Sequence, residues 1–103
     1  MHAVIRHYEG IDSTRLEELI GIMKEDFIPT LSEIEGINAY HVIDSGTGLL
    51  TTISICDTVE AAEESTKVAG NYIRDQGLAD AFPSPPQVIS GEIVAQHSAV
   101  KTR

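Results

Sequence analysis

The sequence is poor in residues that often carry function: it has no tryptophan, a single cysteine, and 7 basic residues against 16 acidic ones. The formal net charge of −9 argues against a nucleic acid partner, because binding to phosphates requires a basic surface. Cys56 has no CxxC motif and no histidine at metal-ligand spacing. We therefore predict a buried thiol at this position rather than a disulfide or a zinc site.

Long apolar runs are also absent. No stretch approaches the roughly 20 apolar residues that a membrane-spanning helix needs, and the start, MHAVIRHYEG, lacks the apolar core of a signal peptide. We therefore expect a cytoplasmic protein with no membrane partner. At 103 residues, 42% of them hydrophobic, the chain is predicted to form a single domain over residues 1–103.

The histidines do not have the spacing of a metal site. His2 and His7 are five residues apart on a predicted strand and so lie on opposite faces, while His41 and His97 belong to other elements. The chain also has no GxGxxG, P-loop or GxSxG motif. The sequence therefore predicts no metal site and offers no cofactor-binding motif.

The most informative stretch that is present is residues 37–57, INAYHVIDSGTGLLTTISICD, which predicts two strands joined by a glycine-containing turn. Apolar residues occur on both faces of this hairpin. An antiparallel sheet with one wet face shows cleaner alternation, so we expect both faces to be covered.

The remaining elements flank this hairpin. A strand over His2–Tyr8 precedes a helix that begins near Ser13, and Pro29 predicts a kink or a restart over Thr30–Ile34. A second helix, with a capping box at Asp57 and Glu60 and an unusually small apolar face, is predicted to end at Gly77. A last strand over Gln87–Gln96 is followed by a loosely held tail at residues 97–103.

This order predicts a ferredoxin-like α+β fold, βαββαβ, with a four-stranded antiparallel sheet and both helices on one face. The other face would be left exposed as a large apolar patch, so we predict a homodimer that pairs two sheets face to face. We expect Leu49, Thr51, Ile53 and Ile55 to face the helices, together with Ala3, Ile5 and His7. The alternate stripe, Leu50, Thr52, Ser54 and Cys56, would then face the partner subunit.

Three short segments resemble a known family. They are Phe27-Ile28-Pro29 in the first helix, Glu35-Gly36-Ile37 at the second strand, and Asp57 followed by Ala61-Ala62-Glu63-Glu64-Ser65 at the second helix. Together with the element order, they resemble the dimeric α+β barrel superfamily, and within it the antibiotic biosynthesis monooxygenase-like domains. The resemblance covers about residues 3–95.

The resemblance implies a cleft between sheet and helices that binds polyketide-like aromatics, haem or other small hydrophobic molecules. Relatives that oxidise aromatics do so without a metal or flavin. The haem-degrading branch depends on a helix tryptophan, which this chain lacks. We therefore carry over no catalytic residue and expect no cofactor.

Five residues are candidates for lining a ligand pocket: His7, Tyr40, His41, Thr51 and Tyr72. His41 is the histidine expected to be buried, either as a core or interface residue or as an acid or base. The two tyrosines suit either the edge of the core or an aromatic substrate. Arg6 and Glu92, on the first and last strands of the chain, predict either an ion pair at the dimer face or a fixed charge for an acidic ligand.

Two functions remain open. One is cofactor-independent oxidation of a small aromatic or polyketide-like molecule, with a histidine or tyrosine taking a proton from the substrate. The alternative is a non-enzymatic small-ligand-binding or assembly module with the same fold.

Overall fold

The computed structural model describes residues 1–97, in which four strands form one antiparallel sheet. The strands are β1 (His2–Tyr8), β2 (Ile37–Gly46), β3 (Leu49–Cys56) and β4 (Gln87–Glu92), and their order across the sheet is β2-β3-β1-β4. The predicted ferredoxin-like fold and its central hairpin are confirmed. Strand β4 is shorter than predicted, and residues 98–103 of the predicted loose tail lie outside the described residues.

The first helical region is continuous where the sequence predicts a break. It runs through a 3-10 turn (Ser13–Arg15), α1 (Leu16–Ile22), a π-helical turn (Met23–Phe27) and α2 (Ile28–Leu31). The backbone N–H of Ile28 donates to the carbonyl of Met23, five residues earlier. Pro29 then occupies the first turn of α2, where a missing N–H is tolerated. The proline is therefore accommodated by a wider turn, and the helical turn that contains it spans Ile28–Leu31 rather than the predicted Thr30–Ile34.

The long helix α3 (Val59–Asp75) ends where the sequence predicts, but a different residue caps its start. Its N-cap is Thr58, whose Oγ1 accepts from the N–H of Ala61 at 3.1 Å. The predicted cap, Asp57, instead accepts from Asn38 Nδ2 at 2.7 Å. The predicted end at Gly77 is confirmed: its φ is +68°, and the N–H of Leu78 reaches the carbonyl of Ile73 at 2.9 Å, as in a Schellman motif.

The small face of α3 packs directly on the sheet, with Ala61, Ala62, Ser65 and Ala69 all buried. Gly36, just before β2, has a φ of +93°, and a Cβ at this position would lie 3.2 Å from the Cβ of Ala61. Glycine is thus favoured here both by the backbone conformation and by the close helix.

The two faces of the sheet are assigned opposite to the prediction. Leu50, Thr52, Ser54 and Cys56 are at most 1% exposed and lie under the helices, together with Val4, Arg6 and Tyr8 of β1. The predicted helix-facing residues Leu49, Thr51, Ile53 and Ile55 lie on the outer face, as do Ala3, Ile5 and His7. The prediction placed the more apolar residues of β3 under the helices because they are more hydrophobic. The buried Arg6 requires oxygen partners on its own face, however, and Ser54 of the more polar set is one of them.

No helix within residues 1–97 is long and apolar enough to cross a membrane.

Candidate ligand-binding site

A largely apolar cavity lies between the helix face of the sheet and the helices. It is lined by Tyr8, Leu19, Ile22, Met23, Phe27, Tyr40, Ala69, Tyr72, Ile73, Leu78 and Phe82. The space between these side chains, including its open mouth, is about 390 Å³, of which about 20 Å³ admits the centre of a water molecule. The first volume includes open solvent, and the second, which measures the cavity itself, holds about one water. A bound ligand therefore requires partly exposed lining side chains, such as Met23 and Phe82, to move.

Aromatic rings in edge contact shape the cavity. The rings of Tyr8 and Phe82 are 5.1 Å apart between centroids, and Phe27 lies 5.6 Å from Tyr40 and 4.8 Å from Tyr72. Phe27 ends the π-helical turn that also supplies Met23. The irregular helix therefore places two wall residues, and pairs of rings at these distances suit the binding of another flat aromatic molecule.

The tyrosine hydroxyls are the polar groups of the cavity walls. Tyr72 donates to Asp26 Oδ2 at 2.6 Å; burial first, and then Asp26, raise the pKa of Tyr72 to about 12. Burial also raises the pKa of Tyr40 to about 12 and raises the pKa of Tyr8. All three phenols are therefore protonated near neutral pH: Tyr8 and Tyr40 are available as hydrogen-bond donors to a ligand, whereas the proton of Tyr72 is directed at Asp26.

Arg6 is 1% exposed and lies on the helix face of the sheet, two residues before the cavity residue Tyr8 but outside the cavity lining. Its Nη1 donates to Ser54 Oγ at 3.1 Å, and its Nη2 donates to Ser65 Oγ at 2.9 Å and to Thr66 Oγ1 at 2.6 Å. These partners are neutral hydroxyls. The predicted ion pair with Glu92 does not form, because the residue opposite Arg6 on β4 is Val88 and Glu92 lies opposite His2.

The predicted pocket residues are divided between the two faces of the sheet. Tyr40 and Tyr72 line the cavity. His7 and Thr51 lie on the outer face, where His7 Nδ1 and Thr51 Oγ1 are 2.9 Å apart, and His41 is exposed on that face rather than buried. Placing His7 and Thr51 in a sheet–helix cleft was therefore wrong, because of the inverted face assignment, whereas His41 lies on the face where an interface histidine was one of its expected roles.

Sequence reasoning missed Tyr8, Phe27 and Phe82 as cavity residues and assigned Arg6 to the wrong face. One signal was available: the hydroxyl residues Thr52 and Ser54 follow each other on one face of β3, between Leu50 and Cys56, a pattern expected beside a buried polar group. Within residues 1–97, no three histidine, cysteine, aspartate or glutamate residues are grouped so that they could hold a metal ion.

Comparison with known proteins identifies the fold. No protein-family model and no curated protein matches the sequence. Solved structures that match include putative antibiotic biosynthesis monooxygenases, dimeric ferredoxin-like proteins and proteins of unknown function. The chain has the ferredoxin-like fold of these proteins.

Three of these structures illustrate the range of matches. A protein of unknown function from Nitrosomonas europaea is 13% identical, with 97% of this chain and 95% of that chain covered and a TM-score of 0.74. A monooxygenase from Streptomyces coelicolor, solved in complex with nanaomycin D, is 9% identical, with 98% and 92% covered and a TM-score of 0.69. A dimeric ferredoxin-like protein from an uncultured marine organism is 10% identical, with 95% and 97% covered and a TM-score of 0.62.

Proposed function

We propose that this protein binds a small aromatic molecule in the cavity between its sheet and its helices. The observation that carries the proposal is the lining itself, in which five aromatic rings and an aliphatic wall surround one space. The structurally similar monooxygenase in complex with nanaomycin D supports the choice of an aromatic ligand.

The proposed reaction is cofactor-independent oxidation of an electron-rich phenol. In the overall reaction a phenol and dioxygen give a quinone and water: one oxygen atom enters the ring, and the other leaves with two substrate hydrogens. Tyr72 and Asp26 are the pair suited to move a proton, because their oxygens are 2.6 Å apart. Of the two residue types predicted for this role, histidine or tyrosine, the proposal keeps the tyrosine, since His7 and His41 lie on the other side of the sheet.

The second candidate is binding without turnover. The observation that favours it is the raised pKa of Tyr40 and Tyr72, which keeps both hydroxyls protonated at neutral pH. A cavity whose phenols remain neutral can hold an aromatic ligand without activating it.

We also propose that two copies of the chain pair through the outer sheet face. This face carries Ile5, Ile53 and Ile55 beside Ile89, which is 70% exposed in the single chain. Contiguous apolar surface of this kind is typical of protein interfaces. The dimeric ferredoxin-like neighbour supports the formation of a dimer.

The experiment is a thermal-shift and calorimetry panel with 1-naphthol, juglone and a non-aromatic control, cyclohexanol, followed by measurement of oxygen uptake. Saturation at 100 times the dissociation constant raises the free energy of unfolding by about 2.7 kcal/mol. Binding of 1-naphthol with oxygen uptake and quinone formation supports the proposed oxidation. Binding without oxygen uptake supports the second candidate, binding without turnover. If neither aromatic compound binds, both candidates are wrong.

Two variants test whether turnover depends on the Tyr72–Asp26 pair or on the outer face of the sheet. Tyr72→Phe is expected to slow oxygen uptake by about tenfold or more, the lower range for loss of a proton-transfer group, while naphthol affinity changes by less than about twofold. His41→Ala changes a histidine of the outer face and is expected to leave turnover unchanged. Equal loss of activity in both variants would contradict the assignment of the Tyr72–Asp26 pair.

A further inference from the structure

Arg6 is a buried cation whose charge is not matched. Among residues 1–97 no carboxylate lies within ion-pair distance of it, and its Nε has no hydrogen-bond partner. Burying an arginine is costly unless the charge is paired and every donor is satisfied. Three hydroxyls satisfy the terminal nitrogens but leave both the charge and the Nε–H without a matching group.

A second unpartnered group lies beside the first. The hydroxyl of Thr52, a residue that is 1% exposed, makes no hydrogen bond of good geometry within residues 1–97, although it lies close enough to the Tyr40 hydroxyl to act against the larger effect, burial, that raises the pKa of Tyr40. Arg6 and Thr52 are directly opposite each other on β1 and β3 and point to the same face of the sheet. Opposed side chains of this kind have Cβ atoms about 4.5–5.5 Å apart, so the two residues belong to one small region of the inner face.

This region adjoins the aromatic cavity. Tyr8 follows Arg6 by two residues on the same face of β1, and Ala69 follows Ser65, which binds Arg6, by one turn of α3. Both Tyr8 and Tyr40 line the cavity. Burial is the larger effect and raises the pKa of both tyrosines, while the positive charge of Arg6 acts to lower it. The guanidinium is therefore close enough to both cavity residues for its charge to act on them.

We propose that Arg6 and Thr52 form a subsite for an anionic oxygen of the aromatic ligand, either an ionised phenol or a carboxylate. Such an oxygen accepts from both the Nε–H of Arg6 and the hydroxyl of Thr52, and its charge offsets that of the guanidinium. The aromatic rings of the ligand occupy the cavity between Tyr8 and Tyr40. This proposal rests on the proposed function of that cavity and narrows its ligand to an acidic aromatic molecule.

The test compares two ligands of nearly the same shape, naphthalene-2-carboxylate and naphthalene-2-carboxamide, by calorimetry near neutral pH. The wild-type protein is expected to bind the carboxylate about tenfold or more tightly than the amide, because a hydrogen bond to a charged group is worth more than one to a neutral group. Arg6→Met is expected to remove this preference while leaving amide affinity within about twofold. A variant that only loosened the fold would weaken both ligands alike.

A pair of adjacent substitutions provides the matched control. Thr52→Val removes the unpartnered hydroxyl and is expected to weaken carboxylate binding several-fold. Thr51→Val makes the same change on the outer face and is expected to have no effect on either ligand. This pair also tests the proposal if Arg6→Met fails to fold.

The binding results distinguish failure of the anionic subsite from failure of the aromatic cavity. If the wild-type protein binds both ligands equally, the anionic subsite is wrong and the aromatic cavity stands. If neither ligand binds, and 1-naphthol and juglone also fail to bind, the cavity function is wrong and the subsite falls with it. If Thr51→Val and Thr52→Val weaken carboxylate binding equally, the assignment to the inner face is overturned.

Discussion

Tyr40 couples the cavity to the stability of the fold, because its hydroxyl is buried in the neutral form. Burial raises its pKa from 10.0 to about 12. A group whose pKa is raised by folding stabilises the native state fully below its unfolded pKa, and this contribution is lost as the pH rises through the folded value. We therefore expect the free energy of unfolding to fall between about pH 10 and 12, with about 2–3 kcal/mol due to Tyr40.

The measurement is urea unfolding at a series of pH values, with tyrosinate absorbance followed in parallel. Tyr8 and Tyr72 act in the same direction, since their pKa values are also raised. The informative comparison is therefore with Tyr40→Phe, in which the loss of stability above pH 10 is expected to be smaller by the contribution of one group. An unchanged pH dependence in this variant would show that Tyr40 ionises as freely in the native state as in the unfolded chain.

At the scale of elements, α3 depends on a cap that consists of one side chain. Thr58→Ala removes the bond from the N–H of Ala61 to Thr58 Oγ1 and is expected to lower the free energy of unfolding by about 1 kcal/mol. For a domain of this size, that change lowers the melting temperature by roughly 4–8 °C. Thermal unfolding followed by circular dichroism measures it.

Asp57→Ala is the matched control for the cap. Asp57 precedes Thr58 and contacts Asn38 at the surface rather than the backbone of α3. We expect a loss below about 0.5 kcal/mol, as is usual for exposed positions. A larger loss for Asp57→Ala than for Thr58→Ala would mean that the helix is capped as the sequence pattern first indicated.

Much of the secondary structure was predictable because its signals are local. The Gly77 helix end and the hairpin turn depend on backbone conformations that glycine favours, so a few residues determine them. The π-helical turn before Pro29 was not predictable in this way. A proline in this pattern is compatible with a kink, a restart or a wider turn, and the wider turn ends at Phe27, which is buried among core residues from other elements.

At the scale of the molecule, the element order was sufficient to predict the fold, but not which face of the sheet meets the helices. The stripes of β3 differ by one residue in register, and the more apolar stripe lies outside. This inverted face assignment explains which predicted site residues line the cavity and which do not. Tyr40 and Tyr72 were found because each has a large ring on an element that borders the cavity, whereas His7, His41 and Thr51 followed the wrong face.

The same inversion makes the outer sheet face the surface to test for dimer formation. Ile53 lies at the centre of this face, opposite Ile5 of β1 and His41 of β2. Ile53→Asp places a charge where two sheets would meet and is expected to convert the dimer to a monomer in sedimentation experiments at micromolar concentration. The inner core is untouched by this change, so far-ultraviolet circular dichroism should stay that of the folded chain.

Val59→Asp is the matched control for the dimer. Val59 is also apolar and is 44% exposed, but it lies at the start of α3, on the helix side of the sheet, where an acidic residue is favoured by the helix dipole. This variant is expected to remain a dimer. If the wild-type protein already sediments as a monomer, sheet pairing is wrong. If Val59→Asp alone dissociates the dimer, the subunits pair through their helices, and the isoleucines of the outer face require a different partner.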